Sequence, residues 1–121
     1  MSYVDGFVLP VPKKNLAAYR KLAREAGKIW RKYGAIDYKE CIGDDLKNHW
    51  GGIPFNKLAR TRPGETVAFS YIVYKSRAHR DQVNASAAKD PFMNDPKYKD
   101  KPMPFDMKRQ AYGGFKVIVD A

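Results

Sequence analysis

The sequence is poor in the residue types that most directly announce a chemistry. Cys41 is the single cysteine among 121 residues, so no disulfide can form within the chain. An unpaired thiol predicts a reducing compartment, and the cytoplasm is the expected location. His49 and His79 are the only histidines, far apart and without a cysteine cluster. The spacing of a metal site is therefore missing, and no metal or other cofactor is expected. Asp44-Asp45 lacks the spaced acidic ligands of a calcium loop. No apolar run approaches the roughly 18 residues of a membrane-spanning helix, so no membrane partner is expected. The opening Met1-Ser2-Tyr3-Val4-Asp5 has no basic stretch leading into an apolar one, which predicts a chain without a signal peptide. Low-complexity segments are absent.

Acidic residues are also scarce, at 13 Asp and Glu against 23 Lys and Arg, a formal net charge of +10. Such an excess attracts anions, whether nucleic acid, acidic proteins or small acidic ligands. The hydrophobic fraction of 44% is ordinary, and residues 1–121 are expected to form a single domain.

Periodicity supplies the elements. Residues 3–9 alternate as a strand, with Tyr3, Asp5, Phe7 and Leu9 on one side; Pro10 and Pro12 are expected to end it. Residues 14–33 form the clearest helix. Leu16, Tyr19, Leu22, Ala23, Ala26, Ile29, Trp30 and Tyr33 share one face, with Asn15 as the expected cap and Gly34 as the stop. Residues 35–43 alternate as a second strand. A long connection, 44–64, follows, in which Phe55–Arg60 is expected to be extended. Thr66–Tyr74 is a third strand, apolar or aromatic on both faces. Ser76 caps a second helix over Arg77–Lys89, stopped by Asp90-Pro91. Residues 91–108 read as irregular, and a last strand covers 109–119, with Gly113-Gly114 marking a bulge or a close backbone approach. Strand, helix, strand, repeated, is the order of a ferredoxin-like α+β fold: a four-stranded antiparallel sheet with two helices on one face.

That fold leaves one sheet face without helices. An exposed face should alternate apolar with polar side chains, yet the third strand offers either Val67, Phe69, Tyr71 and Val73 or Ala68, Ser70, Ile72 and Tyr74. Two sheets packed face to face would cover such a patch, so a homodimeric α/β barrel is expected. The alternative is that connection 44–64 folds over the same face.

Tyr3-Val4-Asp5-Gly6-Phe7, the stretch Phe69–Arg77, and Met103-Pro104-Phe105-Asp106-Met107-Lys108-Arg109 leading into Tyr112-Gly113-Gly114-Phe115 resemble the bacterial YbaA-like family, over nearly the whole chain. That family is one of unknown function. The resemblance implies the dimeric α/β-barrel superfamily, which includes small oxygenases and haem-degrading enzymes, but it implies no catalytic residue.

Among the residues themselves, Asp5 shares a strand face with large apolar groups, so a partner for its charge is required. Arg109 is the expected partner, and Asp5, Tyr71, Arg109 and Tyr112 are expected to converge at one end of a cavity between two sheets, walled by Tyr3, Phe7, Phe69 and Tyr71. A plain salt bridge is the simpler reading of the same residues. Cys41 is expected to be a small buried hydrophobe rather than a nucleophile. Arg20, Arg24, Lys28 and Arg31 form a candidate anion-binding face, although solvated helix faces are ordinarily charged. Three functions follow as expectations: a homodimer holding a small molecule between its sheets, a cofactor-independent oxygenase-like enzyme on an apolar or aromatic substrate, or electrostatic nucleic-acid (RNA) binding through the first helix. The residues do not decide whether the protein is an enzyme.

Overall fold

Alternation along the first strand decides which side of the sheet is dry. In the computed structural model, which describes residues 2–95 and 102–121, Tyr3, Asp5, Leu9 and Val11 are buried. The elements run β1 (Tyr3–Pro12), α1 (Leu16–Lys32), β2 (Asp37–Ile42), α2 (Phe55–Leu58), β3 (Glu65–Tyr74), α3 (Arg77–Ala88) and β4 (Ala111–Lys116), with short 3-10 turns at Lys13–Asn15 and Met107–Arg109. The sheet is antiparallel in the order β2-β3-β1-β4, the ferredoxin-like arrangement. Part of the irregular stretch expected over 91–108, namely 96–101, lies outside the described residues.

Register assigns the faces. Tyr3 pairs with Tyr74, Asp5 with Ile72 and Leu9 with Ala68, so these residues share the helix-covered face. Two buried clusters fill it: Tyr3, Ala35, Ile72, Tyr74 and Val83 toward α3, and Leu9, Val11, Tyr19, Ala23 and Ala68 under α1. Each fully buried aliphatic side chain contributes about 1.5–3 kcal/mol relative to exposure. Gly27 lets α1 approach β2 closely, because a Cβ there would stand 2.9 Å from Tyr38 Cδ1.

The opposite face carries Val67, Phe69, Tyr71 and Val73. Val67 is buried, and Phe55 of α2 packs edge-on against Phe69 at 6.1 Å, so the connection shields one end of this face. It leaves Phe69 42% and Phe115 61% exposed.

Several local expectations need correction. β1 runs through both prolines to Pro12. Pro10 and Pro12 have the same parity, so both missing donors fall on one edge. The β1–β4 register ends at the pair Val8 and Ala111, while the β1–β3 register continues to Glu65. Asn15 does not cap α1 with its side chain; its Nδ2 donates instead to the Pro104 carbonyl at 3.1 Å, tying α1 to the segment before β4. Phe55–Leu58 is a helical turn rather than an extended segment, with Ala59 and Leu58 amides bonding back to Phe55 and Pro54. Gly113-Gly114 carries no bulge, since its pairing with Gly6 and Asp5 is regular. A close approach explains it: a Cβ on Gly114 would lie 2.8 Å from Tyr3 Cζ. Gly34 does end α1 with φ of +115°, and Ser76 Oγ does cap α3 by accepting from the His79 amide at 3.1 Å.

Candidate functional site

The space between α1 and the sheet is not filled. Small residues on α1, Ala23 and Ala26, stand opposite Phe7, Ser70 and Ile72, and the mismatch leaves a cavity of about 310 Å³. Its walls are almost entirely apolar: Leu22 and Trp30 from α1, Ile72 and Phe7 from the sheet, and Phe92, Met103, Phe105 and Met107 from the α3–β4 connection. Methionines suit such a wall, because an unbranched thioether adapts to irregular shapes.

Glu40 closes one end. The Tyr19 hydroxyl donates to its Oε2 at 2.7 Å and the Tyr38 hydroxyl to its Oε1 at 2.8 Å. Burial first, and Glu40 second, push both phenols above the ordinary tyrosine range, so they stay protonated donors.

At the other end a second cavity, about 320 Å³, shares Phe7, Trp30, Ile72 and Gln110 with the first and adds Asp5, Asn84 and Tyr112. The two adjoin along these shared walls, an apolar body beside a polar end, and together make up the chamber. Asp5 is 1% exposed. Arg80 Nη1 donates to Asp5 Oδ1 at 2.8 Å and to the Tyr112 hydroxyl at 2.8 Å, while Arg80 Nε donates to Asp81 at 2.7 Å. The guanidinium also lies over the Tyr3 ring at 5.0 Å. Burial pushes the Asp5 carboxyl up, opposed by Arg80 and by a hydrogen bond from Tyr112. Trp30 Nε1 donates to Asn84 Oδ1 at 3.0 Å and Tyr74 joins the same oxygen at 3.3 Å. An indole N–H can only donate, so this contact fixes the Asn84 amide and leaves Nδ2 as its remaining donor.

The four residues expected at one site divide three ways. Asp5 and Tyr112 do meet, through Arg80. Arg109 does not join them: it grips Glu65 with two hydrogen bonds of 2.7 and 2.9 Å and reaches the Arg60 carbonyl at 2.7 Å. The register explains this, because β4 pairs with β1 only from Ala111, opposite Val8, and Arg109 precedes it. Arg109, in the turn before β4, thus falls toward the Glu65 end and away from Asp5. Tyr71 pairs with Gly6 on the opposite sheet face. The expected aromatic wall splits likewise, Tyr3 and Phe7 on the helix side, Phe69 and Tyr71 on the other. Cys41 is exposed, because β2 is an edge strand and its helix-free side is uncovered. His49 is exposed, and His79 Nδ1 accepts from the Lys75 amide at 3.0 Å in a local turn. Arg20, Arg24, Lys28 and Arg31 do line one groove between α1 and β2, about 850 Å³, which also contains Glu40. No cluster of metal-ligating side chains occurs among the described residues, and none of their helices is long and apolar enough to cross a membrane.

Arg80 and Glu40 carried no weight in the sequence reading, though a signal existed for the first. Arg80, Val83, Asn84 and Ala87 recur at helical spacing, so the core-facing stripe of α3 contains an arginine and an asparagine among its apolar residues.

A sheet ordered β2-β3-β1-β4 with its two long helices on one face, and a chamber beneath them, defines an α+β protein of the ferredoxin-like class. The chain belongs to the family described as "Protein of unknown function (DUF1428)", whose model matches residues 2–107. It is similar to the uncharacterized protein YbaA of Escherichia coli (strain K12), 39% identical over 123 residues that cover 99% of each chain. The YbaA protein of Shigella flexneri matches at the same 39% identity and 99% coverage. Among solved structures, a dimeric ferredoxin-like protein from an uncultured marine organism aligns over 100% of both chains with a TM-score of 0.55 and 10% identity, a likeness of fold.

Proposed function

We propose that the protein is a homodimer whose protomers each bind a small apolar or aromatic molecule in the chamber between α1 and the sheet. The chamber carries the reading: about 310 Å³ with walls of Leu22, Trp30, Ile72, Phe105 and methionine, closed by a carboxylate held between two phenols. Sites of this kind, concave and mostly apolar with a few convergent polar groups, are the usual form of a small-molecule pocket. This moves the ligand from between two sheets to beneath the helices. Pairing through the helix-free face is supported by the exposure of Phe69 at 42% and Phe115 at 61%, and by the dimeric state named for the structural neighbour. The unpaired Cys41 favours a reducing compartment.

The test uses naphthalene as probe and the two tryptophan indole N–H signals as reporters. Trp30 lines the chamber and Trp50 is 97% exposed. Saturable naphthalene binding should move the Trp30 signal alone, and Ala26→Phe, which fills the chamber, should abolish it. No binding, or a shift confined to Trp50, contradicts the reading.

A second reading attaches to the groove lined by Arg20, Arg24, Lys28 and Arg31, four exposed cations on one arc. Nucleic acid bound there would be lost steeply with salt. Binding of an RNA oligonucleotide that is unchanged between low and moderate salt, or absent at low salt, removes it.

A further inference from the structure

We propose that the polar end of the chamber, formed by Asp5, Asn84, Gln110 and Tyr112, recognises an uncharged hydroxyl head on an aromatic ligand, a phenol in its simplest form. The inference rests on the chamber being a binding site and adds which ligands it selects.

The donors and acceptors define the head group. Asn84 Nδ2 has no hydrogen-bond partner among the described residues, since both contacts to that side chain fall on Oδ1. The Gln110 side-chain amide, which borders both parts of the chamber, likewise has none among the described residues. Asp5 already accepts from Arg80 and Tyr112, and a carboxylate's roughly four acceptor sites leave it room for one more donor at the same end. A group that donates one hydrogen bond and accepts another matches this set, and a hydroxyl does both.

Charge decides against an ionised head. Asp5 and Arg80 already neutralise each other at 2.8 Å, with Asp81 as a second anion on the same guanidinium. A carboxylate placed beside Asp5 would lose water and meet a like charge, with no cation among the described lining residues in compensation. A cation beside Asp5 would stand next to the Arg80 guanidinium and meet a like charge, which a neutral hydroxyl does not. The apolar walls contributed by Phe7, Trp30 and Ile72 require that the rest of the ligand be a hydrocarbon or aromatic body.

The experiment compares naphthalene, 1-naphthol and 1-naphthoate on the intact chain near neutral pH, with affinities read from the Trp30 indole signal. 1-Naphthol should bind about tenfold more tightly than naphthalene, as one hydrogen bond to a charged acceptor supplies. 1-Naphthoate should bind more weakly than either. Asp5→Asn should reduce the naphthol preference at least threefold. Should that variant not fold, Gln110→Leu, which removes no side-chain hydrogen bond among the described residues, should lower the ratio of naphthol to naphthalene affinity about threefold. Equal affinities for naphthol and naphthalene overturn this inference while leaving the chamber reading intact. Tighter binding of naphthoate overturns it too, as does a naphthol preference unaltered in Gln110→Leu. No binding of any probe overturns both.

Discussion

Arg80 on α3 reaches across the helix layer to Asp5 on β1, Nη1 to Oδ1 at 2.8 Å, with side-chain exposures of 12% and 2%. One ion pair thus ties the second long helix to one of the two central strands and lies at the polar end of the chamber. Removing either member leaves the other charge in a desolvated site. Asp5→Ala and Arg80→Ala should each lower unfolding free energy by about 3 kcal/mol, and the double variant should cost clearly less than the sum. Urea denaturation of the four proteins checks this; additive losses would mean the two side chains act independently.

Glu65 and Arg109 form the second ion pair that fixes the β3–β4 end, and it titrates in a predictable direction. The Arg109 hydrogen bonds, followed by the Arg62 amide, hold the Glu65 carboxyl down at about 2 against an ordinary 4.5. A carboxyl depressed on folding contributes stability that is complete above 4.5 and is lost as pH falls toward 2. Between pH 6 and pH 3 the wild type should lose about 1 kcal/mol more than Glu65→Gln after allowance for solvent screening. Equal losses in matched urea titrations would contradict the assignment.

Gly27 is a test of close packing rather than of backbone freedom. Alanine is the better helix former, by about 1 kcal/mol. Its Cβ, however, would stand 2.9 Å from Tyr38 Cδ1, and that ring is anchored by its hydroxyl on Glu40 at 2.8 Å. Gly27→Ala should therefore destabilise by about 1–2 kcal/mol net of the helix gain. A stabilised variant in thermal or urea unfolding would show that the ring moves freely.

Much of this was legible in the chain itself. Period-two alternation in β1 and the stripe from Leu16 to Tyr33 were enough for the order of elements, the helix-on-one-face layout and the bare apolar side of β3. What escaped has physical causes. The Asp5 partner depends on register: shifting where β4 joins β1 decides whether Arg109 or Arg80 stands beside it, and no local pattern encodes that shift. Tyr71 and Tyr112 were grouped by type, yet strand parity sends them to opposite faces. Glu40 gives no sign of its role until Tyr19, on a different element, is brought within 2.7 Å.

Phe115 offers the sharpest test of pairing. It is 61% exposed on the helix-free face and packs beneath no described element, so a charge there costs the isolated fold little. Phe115→Glu should convert a dimer into a monomer of half the mass by sedimentation velocity, with the far-UV circular dichroism spectrum retained. A wild type that sediments as a monomer, or a variant that remains paired, contradicts dimerisation through this face.

The placement of the ligand is the central claim, and the direct measurement is the set of nuclear Overhauser contacts from bound naphthalene protons to assigned methyl groups. Contacts to Leu22 and Ile72, which line the chamber, are the predicted result. Contacts to Val8 and Val73, which lie on the opposite sheet face, would place the molecule between sheets and contradict the account.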